Sequence, residues 1–562
     1  MDNNFILSPV MLWRDFTVKY PLQESKTSEE VFDNVIYSDV YFSGRETEQG
    51  RVRIFGVYAT SRGVKMAAKN ACVLILPDAS SSIDSSLVNY YVHQGYSVLM
   101  VDLRGEADGL DNFTHYPECV SYANYFRRGD KMDKCEGSAT QTCWYEWVSV
   151  AKYALAYLRS QKNAETVGVI GIGIGADVGW QLCSTEENGV ACFIPLFCAG
   201  GRAYKGYFKN GETDMPMNDE CLRYLAGVDS SAYAQYMHVP TFFMTATNCA
   251  FSDVERATDS LNRVPKETPL SVNYAPCFND VLDADCKKNV DLFLAKYLLG
   301  FRIQVPSEPK LSLTVDGGKL SVTVEESSEE QLKIKRVSIY AAEGGEDPSF
   351  RVWQECKHVA VSDNKQLVEK TISGACSFVS AFAVVNYRNG FTVSSRIVTK
   401  KFPAIAFPKV NLLYSGRNGL SSVAVYSLKN KSESGLFYLG ERPVSLSTGV
   451  GGIVGVTSDA ALAFYNFNSQ VYRLREDAIL KLDVLAEDHC AIRISVVTEN
   501  LGEREEYSAD FVVQRGGAWK NLLVPFSDFK AEYKRSVADF DAVRALTIRG
   551  DKGFIVNNIL VI

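Results

Sequence analysis

Histidine is scarce in this sequence, with five residues in a chain of 562. The sequence has no H-x-x-x-H pair, no cluster of cysteine with histidine and no EF-hand loop, so the familiar zinc and calcium motifs are excluded. We therefore expect neither a metal nor a cofactor. The scarcity also restricts catalysis, because histidine is the most frequent general base in enzymes.

The chain also lacks an excess of positive charge and a long hydrophobic run. Its formal net charge is -8, whereas proteins that bind nucleic acid are normally basic. No apolar stretch is long enough to span a bilayer. The first residues, Met1-Asp2-Asn3-Asn4, have neither the basic nor the apolar region of a signal peptide. These absences predict a cytoplasmic protein that binds neither nucleic acid nor membranes.

Disulfide signatures are missing as well. The 14 cysteines are irregularly spaced and form no C-x-x-C pair. Several lie inside apolar segments, among them Cys72, Cys192 and Cys198. This distribution predicts reduced, buried thiols rather than a disulfide framework.

The length predicts several domains, and the residue pattern changes twice along the chain. Residues 1–37 form a leader with apolar anchors such as Trp13, expected to pack on the next domain. Over 38–303 apolar strands alternate with helical segments, which predicts a mainly parallel sheet with helices on both faces. Residues 304–402 and 403–562 contain short alternating runs, typical of an immunoglobulin-like sandwich and a jelly roll. The predicted fold class is multidomain, α/β plus all-β.

A glycine-rich turn lies at the centre of the first domain. Residues 167–179 read Val-Gly-Val-Ile-Gly-Ile-Gly-Ile-Gly-Ala-Asp-Val-Gly, which predicts a buried strand, a tight turn and the start of a helix. This is the context of the G-x-S-x-G nucleophile elbow. Gly173 stands where a hydrolase has its serine, and glycine has no side chain with which to attack a carbonyl.

Further landmarks accompany this turn in a fixed order. They are Val73-Leu-Ile-Leu-Pro-Asp78, Val98-Leu-Met-Val-Asp-Leu-Arg-Gly105, the helix from Trp144 to Leu158, and Asp229-Ser-Ser-Ala-Tyr233 followed by Val239-Pro240. With these landmarks, residues 38–303 resemble the α/β-hydrolase superfamily, in particular its bacterial esterase-like and peptidase-like members.

The resemblance implies positions for the other two catalytic residues. The acid of the family would follow the strand that ends at Asn248, where Cys249 stands. The base would follow the segment that ends at Phe278, where Asn279 and Asp280 stand and no histidine occurs. Without serine and histidine the triad chemistry has neither nucleophile nor base. The resemblance therefore implies a degenerate site.

Three residues are candidates for lining a pocket that remains at this place. They are Asp78 and Ser80 in the presumed oxyanion loop and Ile174 next to the turn. The acidic residues of the same region, Asp253, Asp280, Asp283 and Asp285, are interpreted as solvated loop charges, although a pair of them would suit a cation or a sugar.

Two other chemistries are compatible with parts of the first domain. The turn also satisfies G-x-G-x-x-A, but dinucleotide binding requires an acidic residue about 20 positions on, and the next strand ends at Cys198 without one. A cysteine nucleophile at Cys198 or Cys249 would need a base. His115 and His238 are nearest in sequence, and neither falls at a family base position.

The last domain carries a second resemblance. Ala518-Trp-Lys-Asn-Leu-Leu-Val-Pro-Phe-Ser-Asp-Phe529 and the closing residues 556–562 resemble the final strands of galactose-binding-like sandwiches found in carbohydrate-binding modules. A sugar site needs an exposed aromatic ring beside polar groups. The candidates are Tyr465, Tyr472 and Arg473, with Phe467, Asn466 and Asn468 nearby.

The leading hypothesis is a non-catalytic protein that binds a carbohydrate or a protein partner. One alternative is an active esterase or peptidase with an unrecognised nucleophile. Another is a structural or assembly protein. The sequence does not identify the ligand or the oligomeric state.

Overall fold

The structure is a computed structural model. It describes residues 8–61, 71–161, 164, 166–186, 189–211, 215–326, 332–362, 365–372, 376–405, 412–420, 423–426, 436, 444–458, 461–468, 474, 477–486, 488–500, 503–514 and 517–562.

The first part of the chain folds into one nine-stranded sheet with helices. Its strands are β1 Ser25–Phe32, β2 Val35–Thr47, β3 Gly50–Ser61, β4 Ala71–Leu76, β5 Ser97–Val101, β6 Thr166–Ile172, β7 Val190–Leu196, β8 Thr241–Ala246 and β9 Leu270–Ala275. The helices are α1 Pro9–Trp13, α2 Ser85–His93, α3 Cys143–Ser160, α4 Ile174–Thr185, α5 Asp219–Gly227, α6 Ser230–Tyr233, α7 Val254–Leu261 and α8 Ala284–Leu298.

The order of the strands is β1-β2-β3-β5-β4-β6-β7-β8-β9. The pairs from β1 to β5 along this order are antiparallel, and all pairs from β5 to β9 are parallel. The mainly parallel sheet that the sequence predicts is therefore confirmed. Because parallel strands end at the same side, the carboxyl ends of β4 to β9 share one edge of the sheet, which we call the carboxyl edge.

The buried strands explain why this sheet forms. All six residues of β4 and all six of β8 are buried, as expected for strands covered by helices on both faces. Side chains cap the flanking helices: Asp84 accepts hydrogen bonds at the start of α2, and Asp283 does so at the start of α8. Such caps stabilise a helix by about 1 kcal/mol each.

The leader contributes to the sheet itself. Trp13 stacks on Tyr145 of α3 at 4.8 Å between ring centroids, and its indole N–H donates to the Tyr233 hydroxyl at 3.0 Å. Residues 25–32 then form β1, although the predicted first domain begins at 38. All eight residues of β1 are exposed. Because the strand has no buried face, its sequence does not alternate between apolar and polar residues and gives no strand signal.

Within the described residues, the remaining strands form four antiparallel sheets. The first two contain β10 Lys310–Asp316, β11 Lys319–Glu325, β12 Ile334–Glu343, β13 Gln354–Cys356, β14 Val359–Ser362, β15 Lys365–Thr371, β16 Cys376–Tyr387, β17 Thr392–Ser394 and β18 Val398–Ile405. The other two contain β19 Leu412–Tyr414, β20 Ala424–Tyr426, β21 Val444–Thr448, β22 Val454–Ser458, β23 Ala461–Phe464, β24 Ile479–Ala486, β25 Cys490–Asn500, β26 Glu503–Val513, β27 Lys520–Pro525, β28 Val543–Gly550 and β29 Phe554–Val561. The predicted class of α/β plus all-β is thereby confirmed.

A buried ion pair joins the first part of the chain to the second. Arg351 lies between β12 and β13, and its guanidinium binds the Glu255 carboxylate of α7 at 2.7 Å. The two side chains are 0% and 4% exposed. Glu255 also accepts hydrogen bonds from Asn210, Ser380 and Thr399. We call this group the joint.

None of the 14 cysteines, all of which lie in described segments, forms a disulfide, and only Cys119 and Cys221 are partly exposed. Among the residues that the structure describes, no helix is both long and apolar enough to cross a membrane.

Candidate functional site

The turn between β6 and α4 has the backbone shape that a nucleophile elbow requires. Gly173 adopts φ 56° and ψ -119°, a combination that is strained for residues with a side chain. The turn is also tight, because a Cβ atom on Gly175 would lie 2.1 Å from the Leu76 carbonyl oxygen. Glycine at these positions permits close packing of α4 against the sheet.

The space in front of Gly173 is occupied by a carboxylate. Asp78 follows β4, and its Oδ2 accepts a hydrogen bond from the Ile174 backbone N–H at 3.1 Å. A Cβ atom on Gly173 would lie 2.2 Å from the same Oδ2. Asp78 therefore occupies the place into which a nucleophilic side chain would extend.

The same carboxylate takes the hydrogen bond that an oxyanion hole would offer. In hydrolase elbows the hole includes the N–H of the residue after the nucleophile, together with an N–H from the loop after a neighbouring strand. Here the first of these is the Ile174 N–H, which donates to Asp78. The other oxygen of Asp78 accepts from the Ser80 N–H at 3.0 Å and from the Ser80 hydroxyl. The predicted residues Asp78, Ser80 and Ile174 thus contact one another.

The predicted acid and base positions lie at the same edge. Thr247 links the ends of β8 and β9, since its hydroxyl accepts from the Cys277 N–H at 2.8 Å and donates to Asn248. Cys249 and Asn279 are buried directly after these strands. Burial raises the pKa of the Cys249 thiol to about 12, and the nearby charge of Asp280 adds to the shift.

A second thiol, Cys198, lies beside these groups after β7. Burial raises its pKa well above the ordinary value, and the charges of Asp177 and Asp78 act in the same direction. The Arg202 guanidinium donates to its sulfur at 3.4 Å and lowers the pKa only in part. Both thiols therefore remain protonated at neutral pH, whereas nucleophilic cysteine acts as the thiolate.

The five histidines make their contacts elsewhere. His93 ends α2 and is exposed, and His115 stacks on Tyr41. The ring of His238 contacts the backbone oxygens of Tyr236 and Glu186. His358 contacts the Cys356 carbonyl, and His489 is exposed in the turn before β25. None of these contacts places an imidazole beside the elbow, where it could accept a proton.

Other domains cover the carboxyl edge. The Asn248 amide donates to the backbone oxygens of Ser349 and Arg351 at 3.2 and 2.7 Å. The Leu282 N–H donates to the Leu436 carbonyl at 3.1 Å. Cys198, Cys249 and Phe278 belong to the same hydrophobic cluster as Phe464 and Phe467 from the C-terminal part of the chain. The edge is thus built into the interior of the molecule.

Sequence reasoning missed a carboxylate that fixes α4. Asp177 is buried in the first turn of α4, where it accepts from the Gly200 N–H, the Ser230 hydroxyl and, at 2.6 Å, the Arg202 guanidinium. Burial raises the pKa of Asp177, although Arg202 opposes the shift. The sequence signal for this role was an acidic residue within the otherwise apolar first turn of a helix.

The predicted sugar-binding residues have mixed outcomes. Tyr465 is buried, and its ring packs on Phe350 at 5.6 Å between centroids, so it is not exposed for stacking. Phe467 is buried as well, and the Asn466 amide donates to the Leu413 carbonyl. Tyr472 and Arg473 lie outside the described residues.

Comparisons with known proteins add solved structures only. No protein-family model matches the chain, and no curated protein matches it. Acetyl xylan esterase from Paenibacillus sp. R4 is 15% identical with a TM-score of 0.38, and the match covers 52% of this chain and 92% of that chain. Acetyl xylan esterase 1 from Thermoanaerobacterium sp. JW/SL YS485 is 13% identical (TM-score 0.36, 50% and 88% covered). Est1E from Butyrivibrio proteoclasticus with bound ferulic acid is 10% identical (TM-score 0.32, 44% and 95% covered).

The fold assignment rests on the geometry described above. The mainly parallel sheet, the elbow between β6 and α4, and the loop after β4 that reaches the Ile174 N–H are the parts that define the α/β-hydrolase arrangement. The first part of this chain has an α/β-hydrolase-like fold.

Proposed function

We propose that this chain is a non-catalytic binding protein built on an α/β-hydrolase-like fold. The observation that carries the proposal is the hydrogen bond from the Ile174 N–H to Asp78. A substrate oxyanion needs this donor, and here a carboxylate of the protein already uses it. Binding of a second anion there would bring two negative charges together at a buried site.

The chemistry around the elbow supports the same conclusion. Gly173 supplies no nucleophile. The thiols of Cys198 and Cys249 are held in the protonated form by burial. Backbone contacts from Ser349, Arg351 and Leu436 close the edge, so a substrate would have to displace parts of two other domains.

An esterase assay with purified full-length protein tests the proposal. We expect no turnover of p-nitrophenyl acetate above the buffer rate and no adduct with a fluorophosphonate probe. Ser80→Ala and Cys249→Ala serve as matched variants, since they remove the hydroxyl that contacts Asp78 and the thiol at the position of the family's acid. Saturable turnover that survives purification and falls in either variant would establish the esterase alternative instead.

The ligand class we propose is carbohydrate, bound at a cavity in the last sandwich. This cavity has a volume of about 510 Å³, and β25, β26 and β28 line it. We call its outward side chains the strand shelf: Arg493, Asp510, Val512, Arg549 and Asp551. Val512 is 70% exposed, and its apolar surface beside the charged groups takes the place of the exposed aromatic ring expected of a sugar site.

The paired charges of the shelf support this ligand class. The Arg493 guanidinium binds both oxygens of Asp510, at 2.7 and 2.9 Å. Arg493 also lies opposite Arg549 in the register of β25 and β28. Planar groups held in fixed positions suit neighbouring hydroxyls of a sugar, and pockets of 300 to 1,000 Å³ are typical of small-ligand sites.

A glycan array followed by calorimetry tests the ligand. We expect binding of a neutral or acidic glycan that Arg493→Ala weakens by at least about tenfold, the loss expected for one charge-assisted hydrogen-bonding group. Arg336→Ala is the control, because Arg336 is also a surface arginine paired with a carboxylate. Glycan binding that is equal in both variants would exclude the shelf, and an array without hits would favour a protein partner.

A further inference from the structure

Three sulfur atoms meet at the start of α5, away from the elbow and the shelf. The segment reads Met215-Pro-Met-Asn-Asp-Glu-Cys221. The Sγ atom of Cys221 lies 3.8 Å from the Sδ atom of Met215 and 3.9 Å from the Sδ atom of Met217. We call these three side chains the sulfur cluster.

The backbone explains how the sulfurs converge. Residues 215–218 form neither helix nor turn, and Pro216 favours an extended conformation at Met215. In extended chain the side chains two residues apart point to the same side. Asn218 then caps α5, and its side-chain oxygen accepts from the Cys221 N–H at 2.8 Å. This cap places the thiol back over the two thioethers.

The helix that carries Cys221 is firmly held. Arg223, two residues on, donates to the backbone oxygens of Cys135 and Glu136 at 3.0 and 2.7 Å, and Tyr224 is buried. The cluster therefore sits on a fixed support, with Met217, 55% exposed, at its open side. An ion from solvent can reach the three sulfurs without unfolding of the helix.

A hydrogen bond from the thiol accounts for only one of its two close contacts with the thioether sulfurs. A thiol has one proton and donates to one acceptor at a time, while two thioethers lie at the same distance from it. A cation bound among the three sulfurs would contact all of them. Three sulfurs around one ion at the usual metal–sulfur distance of about 2.3 Å lie about 4 Å apart in a trigonal plane, close to the 3.8 and 3.9 Å from the Cys221 sulfur to the two thioethers.

The charges near the cluster also favour a cation. Asp219 and Glu220 are the acidic residues of the first turn of α5. A bound cation would displace the thiol proton.

We propose that Met215, Met217 and Cys221 bind one Cu(I) ion. Thiolate and thioether are soft ligands, and a site with two thioethers and one thiolate suits the soft ion Cu(I). On binding, the Cys221 S–H bond breaks, its proton goes to solvent, and the sulfur lone pair forms the Cu–S bond. No electron is transferred. This site is independent of the proposed binding role of the protein.

Competition for Cu(I) tests the proposal on the full chain. Copper is kept reduced with ascorbate, and its transfer from the coloured bathocuproine disulfonate complex to the protein is followed by absorbance. We expect one Cu(I) ion per chain. Met215→Leu and Met217→Leu should each weaken binding by at least about tenfold, and Cys221→Ser by about a hundredfold or more, because loss of a direct ligand should cost at least as much as the roughly 10–100-fold lost with an outer-shell partner.

Matched variants separate the cluster from other sulfur atoms. Cys119 is the other partly exposed thiol, and Met11, at 53% exposure, matches Met217. Cys119→Ser and Met11→Leu should bind Cu(I) as the unmodified protein does. Methionine to leucine conserves volume and leaves folding largely intact. X-ray absorption of the copper-loaded protein should show sulfur ligands at about 2.3 Å. Failure to take up Cu(I), nitrogen or oxygen ligation, or equal affinity in Cys221→Ser would each overturn the proposal.

Discussion

The elbow and the joint both place a buried carboxylate near the carboxyl edge of the large sheet, yet the two carboxylates have different partners. Asp78 at the elbow accepts from the Ile174 N–H and from the Ser80 N–H and hydroxyl, which are neutral donors. Glu255 at the joint binds the guanidinium of Arg351, which belongs to another domain.

The charged partner of Glu255 determines the direction of its pKa shift. Burial alone would raise the pKa of Glu255, but Arg351 and the hydroxyls of Ser380 and Thr399 outweigh it, and the pKa is lowered. Glu255 is therefore ionised and paired with the Arg351 guanidinium. Asp78 instead occupies the space in front of Gly173. In an open cleft either carboxylate could act on a substrate. Here both bind other groups of the protein and stabilise its fold.

The largest effect should come from opening the joint. In Arg351→Ala the Glu255 carboxylate loses its buried counter-charge, and removal of one partner of a buried ion pair costs about 3–5 kcal/mol. We expect the first urea unfolding transition of the full chain to move to lower urea by a corresponding amount.

A surface ion pair provides the control for the joint. Arg336 binds Glu355 at 2.7 Å, but both side chains are largely exposed. Arg336→Ala should therefore cost about 0–1 kcal/mol. Similar losses in both variants would mean that burial does not distinguish the joint from an ordinary surface pair.

Much of the elbow could be predicted from local sequence, because its signals lie within a few residues of one another. The apolar run before Gly171, the alternate glycines and the helix after Gly173 are determined by strand packing and turn geometry. The missing serine and histidine are likewise facts of the sequence. What the sequence did not predict is the position of the Asp78 side chain, since it lies 95 residues from Gly173 and its contact depends on the folded sheet.

The joint could not be predicted for a related reason. Glu255 and Arg351 are separated by 96 positions, and each alone is typical of a solvated surface residue. Strand β1 was missed because its eight residues are all exposed and it is held by pairing with β2, not by burial. The burial of Tyr465 against Phe350 also depends on contact between domains, which residue alternation does not indicate.

The second effect tests the elbow through its glycine. Gly173→Ala would force a Cβ atom to 2.2 Å from Asp78 Oδ2 at a positive φ. Backbone strain and overpacking together should cost about 2–4 kcal/mol. Gly129→Ala is the control, because Gly129 has φ 51° with open space around a Cβ atom, so this variant places an alanine at a positive φ without a clash.

A double-mutant cycle separates the clash from the strain. Asp78→Ala alone leaves the buried Ile174 N–H without its acceptor, at a cost of about 1–3 kcal/mol. In Gly173→Ala with Asp78→Ala the clash disappears, so the combined loss of stability should be smaller than the sum of the two single losses. Additive losses would mean that the Asp78 carboxylate does not fill the elbow.

The smallest effect concerns a third carboxylate at the same edge, Asp102 after β5. Its Oδ2 accepts from the Gly105 and Thr114 N–H groups at 3.0 and 2.8 Å. Burial raises its pKa to about 6, and these hydrogen bonds and Arg104 only partly oppose the shift. Unlike Glu255, it has no direct cation partner among its hydrogen bonds in the described structure.

The sign of the pH dependence follows from the raised pKa. The folded state holds the Asp102 proton more tightly than the unfolded chain, whose aspartates titrate near pH 4. The stabilising contribution of the protonated group is therefore complete below about pH 4 and is lost as the pH rises through about 6. Asp102→Asn stays neutral, so its free energy of unfolding should gain about 1–3 kcal/mol relative to the unmodified protein between pH 4 and pH 7. Asp510→Asn should show the opposite pH dependence of stability. The bound Arg493 lowers the pKa of Asp510, so the stability that the unmodified protein gains from this carboxylate is lost as the pH falls. Parallel stability curves for Asp102→Asn and the unmodified protein would mean that Asp102, like Glu255, is ionised in the folded state.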